Sequence, residues 1–263
     1  MQKFGIFTII ALVAACTSPD NKEDRDSGAA PSDTVIVPAP SDSIDTDKPE
    51  YPTLSQENHE EVLTDFWEKN DERVLRLVTS KGNIDIRLSD QTPIHSSTFL
   101  MLAKRDYFDE TLFTRVVPDF IIQGGSSDKD EIELKRMLIG SFNPKPEFRD
   151  DLFHKRGAVS MARRYKNNPD KLSTPYSFFI VIGRTFNTPE IMAIERDEDK
   201  EFSPAEEEVY AQLGGAPHLD GEHTVFGEVI AGMDIADKIS EVETDSGEWP
   251  KQDIVIEDVE ILR

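Results

Sequence analysis

Residues 113–125, FTRVVPDFIIQGG, decide how this chain folds. They predict two short strands, residues 112–117 and 120–123, because apolar and β-branched residues dominate both runs. Arg115 is the exception among phenylalanine and valine side chains, and a charge buried there without a partner would be costly. Two interpretations are open at this point: Arg115 lies on a strand surface with its aliphatic stem over apolar neighbours, or it carries function.

Further strand and helix signals extend outward from this stretch. Helical spacing of apolar residues predicts an N-terminal helix at 57–70 and two more helices at 93–105 and 233–239. A hairpin is predicted at 74–88, around the turn SKGN. Other short strands are predicted at 158–162, 178–182, 224–229 and 254–261. Many short strands with few helices favour a mainly β fold, a closed antiparallel barrel capped by two helices.

Charge limits the classes of partner. The 263 residues include 29 lysines and arginines against 52 aspartates and glutamates, for a formal net charge of -23. A duplex DNA backbone repels such a protein, so nucleic acid is not expected as a partner. The charge excess indicates a solvated surface rather than a specific acidic binding site. The hydrophobic share of 37% suits one globular domain with an appended polar segment.

The N-terminus is typical of an exported protein. Lys3 precedes an apolar run, residues 4–15, that is too short to span a membrane but fits the core of a signal peptide. The sequence VAAC then resembles the lipobox of bacterial lipoproteins, in which the cysteine is lipidated. We therefore expect residues 1–15 to be a lipoprotein signal peptide, and Cys16 to anchor the protein to a membrane of the cell envelope. An ordinary secretory signal with an incidental cysteine is the alternative.

A polar segment follows the cysteine. Residues 16–56 are rich in Ser, Pro and Asp and contain few large apolar residues, which predicts a disordered acidic tether. The folded domain is then expected at 57–263. Because Cys16 is the only cysteine, this domain contains no internal disulfide and depends on its core.

Motifs of hydrolases and metalloenzymes do not occur in the sequence. It contains no Gly-x-Ser-x-Gly, no phosphate-binding glycine loop and no His-Glu-x-x-His. HLDGEH sets His218, Asp220 and His223 close together, but Asp-Gly favours a turn, so a zinc site is the less favoured interpretation. The acidic stretch ERDEDKEFSPAEEE lacks the spaced ligands of a calcium loop and predicts a solvated helical insert. We expect neither a metal nor a cofactor.

Four ordered motifs resemble one family. FTRVVPDFIIQGG, GAVSMAR, SFFIVIG and LDGEHTVFGEVIAGMD are similar to the core signatures of cyclophilins, which are peptidyl-prolyl cis-trans isomerases. The resemblance runs from about Val74 to the C-terminus. It implies an eight-stranded barrel closed by two helices, with the active site in a groove on the outside of the barrel.

The resemblance also implies roles for single residues. Arg115 takes the place of the catalytic arginine. Ala162 falls on an edge strand that binds the peptide backbone, and Gln123 supplies a polar contact to the same backbone. The other implied substrate-binding residues form the proline pocket: Phe120, Ile121, Phe179, Leu219 and His223. Without the resemblance, both phenylalanines would read as ordinary core and His223 as a structural hydrogen-bonding residue.

The chain departs from the commonest cyclophilin pattern in several places. Thr114 replaces a histidine, Ser177 a glutamine and His218 a tryptophan, so we expect altered peptide preference and weak cyclosporin binding. Two loops, 125–148 and 183–219, are enlarged, and we expect them to flank the groove and select clients by charge and shape. The predicted function is isomerisation of Xaa-Pro bonds in exported proteins by a monomer. The alternative is a chaperone or scaffold that binds proline-containing segments without catalysis.

Overall fold

The structure, a computed structural model, describes residues 51–263. The predicted signal peptide, Cys16 and most of the predicted tether lie outside the described residues. The strands are β1 (Leu54–Ser55), β2 (Val74–Thr79), β3 (Gly82–Leu88), β4 (Thr111–Val117), β5 (Ile121–Ser126), β6 (Gly140–Ser141), β7 (Ala158–Arg163), β8 (Ser173–Val181), β9 (Val225–Ala231) and β10 (Val255–Ile261). The helices are α1 (His59–Lys69), α2 (Pro93–Lys104), α3 (Asp130–Ile139), α4 (Thr188–Glu198), α5 (Pro204–Gln212) and α6 (Met233–Ser240), with a 3-10 turn at Pro217–Leu219.

Eight strands form a closed barrel in the order β10-β2-β3-β9-β7-β8-β5-β4. Every neighbouring pair is antiparallel, and β10 closes the barrel by pairing with both β2 and β4. Closure removes the free sheet edges that an open sheet would expose. The predicted mainly β barrel is therefore confirmed.

The barrel core is rich in aromatic side chains. Phe99 of α2 lies 5.2 Å from the rings of both Phe178 and Phe226, measured between centroids. Pro93 opens α2, where the fixed proline φ suits the first helical position. Helix α6 buries Ala236 and Ile239. These two helices correspond to the predicted caps, while α1 packs against α2 as the predicted N-terminal helix.

Strand alternation gives the barrel a second, outer layer of apolar residues. Val116, Ile122 and Phe178 face the interior, where they join the main core. Neighbouring residues on the same strands, such as Ile121 beside Ile122 and Phe179 beside Phe178, face outward. Together with residues from the loops they make an outer apolar cluster of Ile121, Ala158, Ala162, Phe179, Val181, Ala216, Leu219 and Val225. This outer cluster is where the groove implied by the resemblance would lie.

The structure corrects the sequence expectations at two places. Strand β1 pairs in parallel with β6 and Leu54 is buried, so the folded unit begins before residue 57 and includes the end of the range predicted as tether. The enlarged segment after Gly125 contains α3, which the sequence analysis did not predict. Among residues 51–263, no helix has the length and apolar character needed to cross a membrane.

Candidate active site

A cross-strand row on the outside of the barrel brings the key side chains together. Arg115 of β4 pairs with Gln123 of β5, and Gln123 pairs with Phe179 of β8. Directly paired residues of neighbouring strands project from the same face of a sheet. The register therefore sets the cation, the amide and the aromatic ring side by side.

All eight residues implied by the resemblance line one cavity of about 220 Å³. The cavity walls are formed by Arg115, Phe120, Ile121, Gln123, Ala162, Arg163, Tyr165, Phe179, Leu219 and His223. Arg163 and Tyr165 are the two members that the sequence analysis did not assign. The structure thus gathers residues that are more than 100 positions apart in the chain.

Arg115 lies at the rim of this cavity with one side of its guanidinium fixed. Its side chain is 40% exposed, and Nε donates a hydrogen bond to Oε2 of Glu248 at 2.5 Å. Glu248 is held in turn because its carbonyl accepts from the backbone N–H of Val116 at 2.8 Å. Within residues 51–263 neither terminal nitrogen of Arg115 has a hydrogen-bond partner. The carboxylate therefore orients the guanidinium and leaves its outer donors for a ligand.

Phe120 forms the wall beside the arginine. The Cζ atom of Arg115 lies 5.7 Å from the centroid of the Phe120 ring, within the range of a cation–π contact. On its other side the ring packs against His218, with centroids 5.1 Å apart. Phe120 lies in the turn just before β5 rather than on the strand, since β5 begins at Ile121. The ring is thereby placed between the catalytic candidate and the 217–219 turn.

The floor of the cavity is apolar and formed by buried side chains. Ile121, Phe179 and Leu219 are 3%, 2% and 5% exposed. None of these side chains carries a hydrogen-bonding group, so the floor suits a saturated ring such as that of proline. Gln123 stands beside this floor, and its side chain makes no hydrogen bond within residues 51–263.

His223 closes the cavity as a neutral ring. Its Nε2 lies 2.8 Å from the hydroxyl of Tyr165, and its Nδ1 lies 3.2 Å from the carbonyl oxygen of Met161. The carbonyl accepts, so Nδ1 carries the proton and Nε2 accepts from the tyrosine. Burial, and secondly the neighbouring His154, lower the pKa of His223 to about 4. The imidazole therefore stays uncharged near neutral pH.

The expected position of Ala162 on an edge strand is wrong. Strand β7 is not an edge strand, because it pairs with β8 on one side and β9 on the other. The register against β8 shifts between Met161 and Arg163, and the pairing with β9 ends at Ser160. Ala162 is thus the position skipped by the irregularity, at the cavity wall.

The three residues of HLDGEH that suggested a zinc site turn to different partners. His218 packs on Phe120, His223 bonds to Tyr165 and Asp220 accepts a hydrogen bond from His154 at 2.8 Å. Among residues 51–263, no group of three potential metal ligands is gathered.

The side chain of Ser177 does not line the cavity. Its hydroxyl donates to the carbonyl of Gly124 at 3.3 Å, within the sheet. A glutamine at this position was expected to help bind peptide. The serine instead hydrogen-bonds to β5 and is not among the residues that line the cavity.

Two partner residues of the site, Glu248 and Tyr165, leave little signal in the sequence. Glu248 is separated from Arg115 by 133 positions, and its only local signal is a turn-rich stretch, TDSGEWP. Tyr165 lies two residues after the motif GAVSMAR, but nothing in its spacing indicates a bond to His223.

Comparison with known proteins agrees with this architecture. The family model described as cyclophilin type peptidyl-prolyl cis-trans isomerase/CLD matches residues 74–261. A protein of Staphylococcus haemolyticus named putative peptidyl-prolyl cis-trans isomerase is 32% identical over 184 residues, which cover 70% of this chain and 88% of that protein.

Two further matches differ in what they cover. A Streptococcus pyogenes protein named putative bifunctional phosphatase/peptidyl-prolyl cis-trans isomerase is 32% identical over 217 residues, and the match spans 81% of this chain but only 41% of that protein. A crystal structure of a cyclophilin type peptidyl-prolyl cis-trans isomerase from Cryptosporidium parvum superposes with a TM-score of 0.53 at 22% identity. That superposition covers 73% of this chain and 99% of the other, and it shows a shared fold.

Proposed function

Since this chain belongs to the cyclophilin-type peptidyl-prolyl cis-trans isomerases, we propose that the cavity around Arg115 is where it accelerates rotation about Xaa-Pro bonds. The observation that carries this assignment is the cavity of about 220 Å³, because it joins a fixed arginine to an apolar floor of buried side chains. We propose further that its clients are exported proteins, and that it works in the cell envelope.

The chemistry asks little of the protein beyond a well-aimed donor. Amide resonance gives the Xaa-Pro bond a barrier of roughly 18 to 20 kcal/mol. In the twisted transition state the proline nitrogen becomes pyramidal and regains its lone pair. A donor directed at that nitrogen binds the transition state better than either planar ground state, which is the condition for catalysis.

Arg115 has the properties of this donor. Its guanidinium is planar and donates from a rigid plane. Its Nε is already engaged by Glu248, so the outer nitrogens are presented at the cavity without a large search over rotamers. A rate gain of about a thousandfold requires about 4 kcal/mol, which one charged donor beside an apolar floor supplies.

The remaining cavity residues contact different parts of the substrate. Ile121, Phe179 and Leu219 enclose the proline ring, while Phe120 packs beside the arginine. Gln123 and the backbone of Ala162 hydrogen-bond the peptide chain. Holding the ring still while the preceding carbonyl rotates confines the motion to one side of the bond.

The assignment is tested by a protease-coupled assay with a short Ala-Pro peptide. Arg115→Ala should lower kcat/KM by about a hundredfold to a thousandfold, as expected for loss of one transition-state donor. Arg87→Ala is the matched control, because Arg87 is half exposed and pairs with Glu228 away from the cavity. Equal activity of Arg115→Ala and the unmodified protein would refute the assignment.

The location is proposed from the N-terminal sequence. Lys3, the apolar run 4–15 and VAAC support cleavage before Cys16 and lipidation of its thiol. Mass spectrometry of the membrane fraction should find an N-terminal diacylglyceryl cysteine, and Cys16→Ser should release the protein from membranes. A mature N-terminus without lipid at Cys16 would contradict this proposal.

A further inference from the structure

The enlarged segment after Gly183 is docked onto the barrel through a small core of its own. This insert core consists of Phe186, Ile191, Phe202 and Tyr210. Two partly buried residues pack against it, Ile194 of the insert and Phe153 from the loop between β6 and β7. The rings of Phe153 and Tyr210 lie 5.5 Å apart at 66°. The insert is helical as predicted, but its apolar side is buried, whereas a fully solvated segment was expected.

Tyr210 extends from this insert core to the partly buried carboxylate of Asp220. Its ring is completely buried, and its hydroxyl donates a short hydrogen bond to Oδ2 of Asp220. Burial, and secondly the charge of Asp220, raise the pKa of Tyr210 far above its usual value. The phenol is therefore a permanent neutral donor to the carboxylate.

Asp220 also hydrogen-bonds to His154. Its Oδ1 accepts from both the backbone N–H and the Nδ1–H of His154, each at 2.8 Å. The His154 side chain is 1% exposed, and its Nε2 has no hydrogen-bond partner within residues 51–263. Within residues 51–263 the carboxylate is thus the only side-chain group that hydrogen-bonds this imidazole.

The imidazole in turn supports the floor of the cavity. The rings of His154 and Phe179 stack with an angle of 16° and a centroid distance of 5.9 Å. The edge of the His223 ring also packs on the Phe179 ring, with centroids 5.1 Å apart and ring planes at 88°. A tilt of the His154 ring would therefore be transmitted to Phe179.

We propose that Tyr210, Asp220 and His154 are positioning residues that let the insert hold the proline-binding wall from behind. This inference rests on the proposed function of the cavity. A catalytic site must keep its walls within about half an ångström of the productive geometry, and second-layer hydrogen bonds are the usual means. The insert therefore controls the rate of isomerisation, in addition to any selection of clients.

The test compares two substitutions within the insert core. Tyr210→Phe removes one hydroxyl and should lower kcat/KM for an Ala-Pro peptide about tenfold, measured well below the melting temperature. Phe186→Leu alters the packing against the Tyr210 ring but removes no group of the hydrogen-bond chain. It should lower the melting temperature and leave kcat/KM within twofold. Unchanged kcat/KM in Tyr210→Phe, or equal losses of kcat/KM in both variants, would overturn the proposal.

A measurement on the unmodified protein covers the case in which Tyr210→Phe fails to fold. Proton NMR should show the Nδ1–H of His154 in slow exchange with water. Saturation with the Ala-Pro peptide should shift this resonance, because Phe179 lies between His154 and the cavity. A resonance that is absent, or that does not move with bound peptide, would refute the positioning role. Failure of the unmodified protein to turn over any Xaa-Pro peptide would instead refute the proposed function.

Discussion

Burial of His223 predicts a specific loss of stability in acid. The side chain is 7% exposed, and its pKa falls from the usual 6.5 to about 4. The unfolded chain takes up a proton at this residue near pH 6.5, whereas the folded chain does so only near pH 4. Between these values the unfolded state binds more protons, so the free energy of unfolding falls as the pH falls.

The size of this effect follows from the separation of the two pKa values. One pKa unit corresponds to about 1.4 kcal/mol, so the contribution of His223 approaches about 3 kcal/mol when the pH lies below both values. Between pH 7 and pH 4.5 it amounts to about 2 kcal/mol.

Urea unfolding at pH 7 and pH 4.5 measures this contribution directly. The unmodified protein should lose about 2 kcal/mol more than His223→Gln over this interval, since glutamine cannot take up the proton. Subtracting the variant removes the carboxylates that also titrate in this range. Tyr165→Phe should reduce the pH dependence as well, because the tyrosine donates to the neutral imidazole. The same loss in the unmodified protein and in His223→Gln, or an NMR titration that places the pKa of His223 at 6.5 or above, would refute the reasoning.

Three further predictions concern the cavity. Glu248→Gln should lower kcat/KM about fivefold to tenfold in the protease-coupled assay, because a neutral amide orients Arg115 less firmly. The control Glu243→Gln, at an exposed ion pair, should leave kcat/KM unchanged, and equal kcat/KM values for the two variants would contradict the role of Glu248. Phe179→Leu should raise KM for an Ala-Pro peptide more than it lowers kcat, as the ring encloses proline in both ground and transition states, so an unchanged KM in steady-state kinetics would argue against the pocket. His218→Trp should increase cyclosporin affinity in calorimetry at least tenfold, and no gain would contradict the interpretation of this departure.

The barrel was predictable because its signals are local. Alternating apolar residues in 74–88 and 112–123 gave the strands, and Pro93 and the apolar stripe behind it gave α2. Helix α3 was not anticipated, because three of its apolar residues are exposed and blur the helical stripe: Leu134, Met137 and Leu138. The pairing of β1 with β6 is two residues long, too short to leave a periodic pattern.

The candidate site was predictable only in part. Ordered motifs indicated Arg115 and the pocket residues, but composition and spacing alone left Phe179 as ordinary core. Nothing local could indicate Glu248, since only the closed barrel brings it to 2.5 Å from Arg115. The same holds for Tyr210, which reaches Asp220 because the insert folds onto the barrel. Contacts of this kind depend on tertiary packing, which residue periodicity does not encode.

The central claim is that Arg115 lowers the rotational barrier rather than only binding proline segments. NMR exchange spectroscopy of an Ala-Pro peptide measures both properties in one sample, since peptide binding shifts resonances and catalysis links the cis and trans signals. The unmodified protein should bind the peptide and exchange its isomers. Arg115→Lys should bind with an affinity within about threefold but exchange the isomers about a hundredfold more slowly, because a lysine ammonium lacks the planar donor fork. Undiminished exchange in Arg115→Lys and in Arg115→Ala would contradict the mechanism, and binding without exchange in the unmodified protein would identify a proline-binding chaperone instead.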